Sequence, residues 1–459
     1  MAPNCSTGPR KFLGGFLGVL ERNCSTAIFI GSLTWLVFIA GAAAGFWKRE
    51  AITSYLDMLP AVYEDLLGNP LRLPAQHSLR PGFTRYSDHK FSGYLLLAAY
   101  FLEEQRPGFK LLNLSNGQVT KTWYPDYQNL TDEYGQELKG SIEAINRFQP
   151  RHPLLMPDGG IVFIHDNHGP LVKIDSCSQI EWWVNDEFHH SLESDLEGNL
   201  IVAGVPDQPS PLPGLEHDHA VVVVDSHGVI KEKTAISEIL VNNGLVGLLY
   251  TIIKFETKDV IHLNDVTVAK ESIGIWETGD WLLSLRNLNL ILIYRPANKK
   301  VTFFKVGPWI NQHDVNFLRS GDVSVFGNDI ILGPRQKGSA FDSDTFFRRS
   351  AGAVNEPLLP KDHNSIYIID PRTMRVQTAF ENLMQEVNMR TETQGRATIT
   401  EGGQIVVEET NFGRIFGFGE RGIVWSYYNS DGRYIGNLNW SRYISETEIA
   451  KIDLSGPCP

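Results

Sequence analysis

Cysteine is scarce in this chain: Cys5, Cys24, Cys177 and Cys458 are the only four in 459 residues. Their spacing fits no zinc-ligand pattern, and they are too few and scattered for a disulfide framework. Cys177, the one cysteine inside the strand-rich part, reads as a buried or free thiol. Low-complexity tracts are absent, and 42% of residues are hydrophobic, enough to build a sizeable core. Positive charge is also short. A formal net charge of -12 excludes a nucleic-acid binder, which needs a basic face for phosphates. No phosphate-cradling Gly-rich loop, nucleophile elbow or HExxH pair occurs, so nucleotide-dependent transfer and triad hydrolysis find no support.

Long apolar runs are limited to one. Residues 27–46 (AIFIGSLTWLVFIAGAAAGF) carry no charge and have the length of a bilayer-spanning helix. The small-residue exit at 42–45 leaves a cleaved signal as the alternative. Arg10, Lys11 and Arg22 precede the run, and Lys48, Arg49 and Arg72 follow it, a balance tilted slightly towards an inside N-terminus. The expected organisation is therefore a cytoplasmic or interfacial segment 1–26, a transmembrane helix 27–46, and a juxtamembrane helix with Pro-rich connector 47–90. A head at 91–445 and a tail at 446–459 complete it. This places a single-pass protein in the membrane, with its head extracytoplasmic (periplasmic) and lipid as a partner of the N-terminal helix.

From Phe91 onward, short runs with strand periodicity alternate with Gly, Asn and Asp turns in about six units. Three units open on a histidine: His190 (HSLESDLEGNLIVAG), His262 (HLNDVTVAKESIGIW) and His313 (HDVNFLRSGDVSVFG). His152 opens another in nearly the same register. The predicted fold is all-β, a six-bladed β-propeller head on a single N-terminal transmembrane helix. Innermost strands of a propeller converge on the axis, so these histidines would meet at one mouth of the channel. Histidine is rare, 13 in all, which makes its return at one repeat position informative. An apolar insertion, 235–255, reads as a helix pressed on a partner, a membrane surface or the channel mouth. A second insertion spans 338–362.

Polar companions define the chemistry. Asn264 shares a strand face with His262, and Arg286, in LLSLRNLNLI, ends the adjacent strand on the channel wall. A buried Arg needs an anion, from protein or ligand. Asp265 and Asp314 read as ties for their strands. Histidines with Arg and Asn suit a small oxyanion, and a neutral imidazole can attack sulfur or phosphorus to give a covalent intermediate. A three-histidine metal site is the rival, which the Arg opposes. HDNH (His165, Asp166, His168) and EHDH (His217, Asp218, His219) are weak cation patterns, and Arg414 reads as a surface charge on an outer strand.

The constellation resembles the bacterial arylsulfate sulfotransferases, over about residues 150–430. The resemblance rests on HHSLESDLEGNLIV, IHLNDV with SLRNLNLI, NQHDVNFLRSGDVSVFGN, and QGRATITEGGQIVVEETNFGRIFGFGERGIVWSY. It implies a six-bladed propeller that moves a sulfuryl group from a phenolic sulfate ester to a phenol, without nucleotide, metal or other cofactor. His313 would be the nucleophile that becomes sulfohistidine. His262 and Asn264 match the family's H-x-N, and Arg286 its sulfate-binding Arg. One of His189 and His190 is the remaining catalytic histidine, and the Gly turn favours His190. Asn264, His189 and His152 would then touch substrate. The chain departs from the family where HHD reads His189-His190-Ser191, in lacking a close disulfide, and in carrying an anchor. The alternative is a non-catalytic propeller serving as an accessory or scaffold subunit of a membrane complex, with other membrane proteins or a second copy as partners.

Overall fold

The computed structural model describes residues 72–74, 80–126, 149–165, 168–251, 259–330, 363–391, 393–432 and 434–455. All of them fall in one compact unit, Asn69–Pro334 with Ser343–Pro459. The expected spanning segment 27–46 and the insertion 338–362 lie outside the described residues. Among the described residues, no helix is long and apolar enough to cross a membrane.

Recurrent turns set the hairpin registers. In IDSCSQI, SDLEGNL and VDSHGVI the Asp carboxylate accepts backbone N–H groups two and four residues on, at 2.7–3.0 Å (Asp175, Asp195 and Asp225). The residue three after each Asp takes positive φ: Ser178 at 71°, Gly198 at 85° and Gly228 at 82°. Glycine adopts this conformation without steric cost, which is why it marks two of these turns.

The strands assemble into antiparallel meanders in a propeller-like arrangement. Four sheets of four or five strands stand apart. One runs Leu263–Val268, Trp281–Leu285, Leu290–Arg295, Lys300–Val306; a second runs Asp314–Phe317, Val323–Gly327, Ser365–Asp370, Arg375–Ala379. In a third, Arg396–Ile399, Ile405–Glu409, Arg414–Gly419 and Gly422–Tyr428 are joined by the N-terminal strand Gly82–Arg85. The fourth closes the ring, because the C-terminal strand Arg442–Ile444 pairs with Tyr94–Phe101, ahead of Arg106–Asn113 and Gln118–Trp123.

Six separate blades are expected from the repeats, and four are found. The other expected units are fused in one seven-stranded sheet from Pro150–Leu155 to Ile230–Ala235. The cause is Ile180–Ser194, a single 15-residue strand that pairs first with Gly169–Ile174 and then with Leu200–Gly204.

Apolar clusters lie between the strand groups rather than within them. Leu283, Leu285 and Leu292 pack with Ile201, Ala203 and Val221, and helix Ile236–Asn242 joins this cluster through Ile236, Ile239 and Leu240. The insertion helix is thus pressed on its own protein's core. Its start is tied down by Asp218, which accepts from the backbone N–H and hydroxyl of Ser237. Arg414 is likewise no surface charge. It is 4% exposed and ion-paired with Glu409. Cys177 is disulfide-bonded rather than free.

Neighbouring inner strands are latched by short polar side chains. Ser191 Oγ accepts from Val266 N at 3.0 Å, Asp265 from Val315 N at 2.8 Å, and Asp314 from Ala397 N at 3.1 Å. Asp265 and Asp314 do tie down strands, as the sequence suggests, and Ser191 performs the same task where the family pattern has Asp.

Candidate active site

The latch gives a structural register for the repeats, and it corrects the one read from sequence. Counting back from Ser191, Asp265 and Asp314, the equivalent positions are His190, Asn264 and His313. His262 lies two residues earlier in its unit, level with Asn311, and both have left-handed φ, 52° and 54°. The three histidines therefore do not share one repeat position. His190, at 54°, shares that left-handed φ, and its ring still meets that of His262.

Arg286 follows strand Trp281–Leu285 and donates its backbone N–H to His262 O at 2.9 Å, so Arg and His face each other across two strand ends. The His190 and His262 rings lie 4.8 Å apart, centroid to centroid. The charges of Arg286 and His262 both act on His313, and those of His262 and His313 on His190. The structure thus brings His190, His262, Arg286 and His313 into one electrostatic group.

Burial holds His189, His190 and His313 well below the ordinary histidine pKa, with neighbouring histidines or, at His313, Arg286 adding to it. His262 is lowered too, again chiefly by burial, although the Asp259 carboxylate opposes the shift. These rings are therefore neutral, each with one N–H. At His313 the assignment is forced. Nδ1 faces Asn311 O at 3.0 Å and Asn328 Oδ1 at 2.5 Å, and both only accept. Asn328 cannot turn its amide round, because its Nδ2 donates to Thr391 O and Gln394 O, each at 2.9 Å. The proton sits on Nδ1, and the Nε2 lone pair is bare.

Arg286 has no carboxylate partner among the described residues. Its guanidinium donates to Asn287 Oδ1 at 2.9 Å, and its Nε is buried and unpaired. An unpaired, largely buried guanidinium beside bare imidazole nitrogens is a place for an oxyanion. Asn264 contributes differently from the expectation: its Nδ2 donates to Gln312 O, fixing the chain just before His313, while its Oδ1 is left buried without a partner. His152 feels the charge of His313 but makes no hydrogen bond to the other site histidines. It stacks on Trp440 at 4.3 Å, and its Nε2 is sealed in without a partner.

His189 is fully buried behind His190. Its Nδ1 meets His190 Nδ1 at 3.1 Å and its Nε2 meets His219 Nδ1 at 3.0 Å. The EHDH residues do not stay together, and Asp166 of HDNH lies outside the described residues. His219 joins this chain, while Asp218 caps a helix and His217 is exposed. His168 pairs with Glu187 at 2.7 Å and lies 5.2 Å from the His189 ring. Among the described residues, no group of three or more His, Cys, Asp or Glu side chains is placed to hold a metal ion.

The family model for arylsulfotransferase (ASST) matches residues 152–430, more than half of the chain and all of the strands that carry this site. The chain belongs to the arylsulfotransferase family. The match supports a sulfotransferase-type function and phenolic substrates. No curated protein matches. Among solved structures, the chain is similar to a Bacteroides caccae protein of unknown function, at 11% identity and a TM-score of 0.45, over 78% of this chain and 100% of that one. It is also similar to the Kuenenia stuttgartiensis hydrazine synthase, at 11% identity and TM-score 0.37 over 68% and 70% of the two chains. A streptogramin B lyase aligns at 10% identity and TM-score 0.36 over 82% and 86%.

Sequence reading missed Asp259 and Asn328, and it took His219 for part of a cation pattern rather than of this hydrogen-bond chain. Asp259 stands three residues before His262 in DVIHLN, a spacing that a tight turn folds onto one point. Asn328 follows the strand paired with Asp314–Phe317, so it was findable only from the hairpin register.

Proposed function

We propose that this protein transfers a sulfuryl group from a phenolic sulfate ester to a phenol by a ping-pong route through sulfohistidine at His313. The observation that carries the reading is the fixed Nδ1–H of His313, which leaves its Nε2 lone pair bare next to the unpaired Arg286. Arg286 would hold the sulfate oxygens. His313 Nε2 attacks sulfur, and the N–S bond forms as the S–O bond to the aryl group breaks. The departing phenolate takes a proton from Nε2 of His262 or His190, a ring that first takes that proton up from solvent and so enters the step as an imidazolium. In the second half the acceptor phenol gives its proton to that same nitrogen while its oxygen bonds to sulfur. The N–S bond then breaks, and His313 recovers its lone pair.

The seven-stranded sheet would act as two blades hinged at Ile180–Ser194, making six units in all. Six large apolar clusters, each between successive strand groups, support that count. An anchored, extracytoplasmic placement rests on residues 27–46. The disulfide at Cys177 supports it, because disulfides persist in oxidising compartments.

The test is transfer from 4-nitrophenyl sulfate to a phenol by purified protein and by His313→Ala, with mass spectrometry of the His313 peptide. Turnover and an adduct of one sulfuryl group are expected in the wild type, and neither in the variant. If the wild type shows neither across several aryl sulfates, the scaffold reading takes its place.

A further inference from the structure

We infer that Asp259, with His219 and His189 behind it, is a hydrogen-bonded hub that fixes the protons of both His262 and His190, so that each presents Nε2 to the departing phenolate. The inference deepens the sulfuryl-transfer reading and rests on it for the identity of the phenolate. Asp259, His219 and His189 are positioning residues here.

The assignment can be followed atom by atom. His189 Nε2 lies 3.2 Å from Gly204 O, which only accepts, so a neutral His189 carries its proton on Nε2. The same N–H points to His219 Nδ1 at 3.0 Å, which therefore accepts, and His219 donates from Nε2 to Asp259 Oδ1 at 2.9 Å. With Nε2 protonated, His189 Nδ1 is a lone pair. It accepts from His190 Nδ1 at 3.1 Å, and the one proton of a neutral His190 is thereby placed on Nδ1. On the other side, Asp259 Oδ2 holds Nδ1–H of His262, and Asp259 Oδ1 also accepts the His262 backbone N–H at 2.9 Å. Both chains end in the same outcome: Nδ1 is occupied, and Nε2 is bare at each of the two rings lying 4.8 Å apart.

This geometry answers a need of the reaction. A phenolate leaving from sulfur must be given a proton at the pocket face of an imidazole, not at its rear. With Nδ1 already donating, any proton that His190 or His262 takes from water can sit only on Nε2. Burial and the surrounding histidines make such an imidazolium a strong acid, ready to pass the proton on. The Asp259 carboxylate, held well below the usual carboxylate range mainly by His219 and His262 against its own burial, stays ionised throughout and bears the fixed charge of the hub.

The experiment compares full-length wild type with Asp259→Asn and His219→Ala on two donors. 4-Nitrophenyl sulfate releases a stable phenolate that needs little protonation; phenyl sulfate releases a basic one. An Asn at 259 offers one acceptor oxygen where two ring N–H groups and a backbone N–H now point, so at least one ring must turn its proton to Nε2 and lose the proton-delivery role. In Asp259→Asn, kcat/KM should fall by about 100-fold with phenyl sulfate but by less than about tenfold with 4-nitrophenyl sulfate, as loss of a general acid predicts. Equal losses with both donors, or none, would overturn the hub. Long-range nitrogen–proton spectra of 15N-histidine-labelled protein supply a second readout that needs no turnover. Wild type should show Nδ1–H at His190 and His262; His219→Ala should disturb His190 and spare His262. Nε2–H at either ring in the wild type overturns the inference. An inactive wild type with both Nδ1–H signals supports the hub and strikes out sulfuryl transfer alone.

Discussion

An amide, not a carboxylate, stands behind the nucleophile. Asn328 Oδ1 accepts the His313 Nδ1 proton without a charge that would pull the proton away or stabilise an imidazolium at rest. After sulfuryl transfer the ring would then keep Nδ1–H, and a sulfonated imidazole bearing that proton is a better leaving group than one that has lost it. Asn328→Ala deletes one acceptor while Asn311 O remains, so the loss corresponds to one hydrogen bond of about 1–1.5 kcal/mol, or roughly tenfold in the rate of adduct formation on His313. Rapid-quench mass spectrometry against an unchanged unfolding midpoint measures it. A wild-type rate in the variant means that Asn311 alone sets the tautomer. The sequence made His313, His262, Arg286 and His190 legible because rare residue types in short motifs survive without coordinates. Asn328 was not legible: Asn is common in turns, and only the pairing of Asp314 with Phe326 brings residue 328 to the ring.

At the scale of the element, the inner strands are held by Ser191, Asp265 and Asp314, each reaching the next strand's backbone. The two carboxylates differ in what else they meet. Asp314 also accepts from Asn316 Nδ2 at 2.8 Å and lies 3.5 Å from the buried Arg396 guanidinium. Asp265 has no ion pair among the described residues, and burial with the nearby Asp314 pushes its carboxyl well up. Arg396 keeps Glu193 at 3.2 Å, but Asp314→Ala strips the acceptor from Ala397 N and Asn316 Nδ2 and should cost about 2–4 kcal/mol of unfolding free energy. Asp265→Asn keeps an acceptor for Val315 N and, like the raised carboxyl it replaces, puts no charge beside Asp314, so its cost should stay below about 1.5 kcal/mol. Urea unfolding of the two variants decides: equal losses would mean that both act only as hydrogen-bond acceptors. Strand periodicity and the Asp–Gly turns made the meanders readable. The fusion through Ile180–Ser194 was not, since its middle, VNDEF, looks like a break in the alternation, while the fold bridges it with a register shift. The insertion helix, apolar enough for a partner, found its partner in the core beside Leu263 and Leu285.

For the molecule as a whole, titration in the interior pulls stability in two directions. Among the described residues, His152, His189, His190, His262 and His313 are lowered, while Asp218, Asp265, Asp314, Glu408 and Glu409 are raised. A buried histidine that stays neutral binds fewer protons than its unfolded counterpart below about pH 6.5, so its share of stability is lost as pH falls. A raised carboxyl binds more protons when folded, so its share is lost as pH rises from the unfolded carboxylate range. Lowered carboxylates such as Glu193 and Asp259 add to the histidine side, so the total pH profile says little about any one set, and a difference measurement is needed. His152 is the suitable probe: it lies outside the hydrogen-bond chain of the pocket, is 4% exposed, and feels Arg396, Arg442 and Arg151 on top of burial. His152→Gln removes one such group. The stability of wild type minus that of the variant should shrink by roughly 1.4 kcal/mol for each pH unit below about 6.5. Urea titrations at several pH values down to about 5 measure that slope. A difference independent of pH would mean that His152 protonates as readily folded as unfolded, and that the channel beside Trp440 admits water and charge.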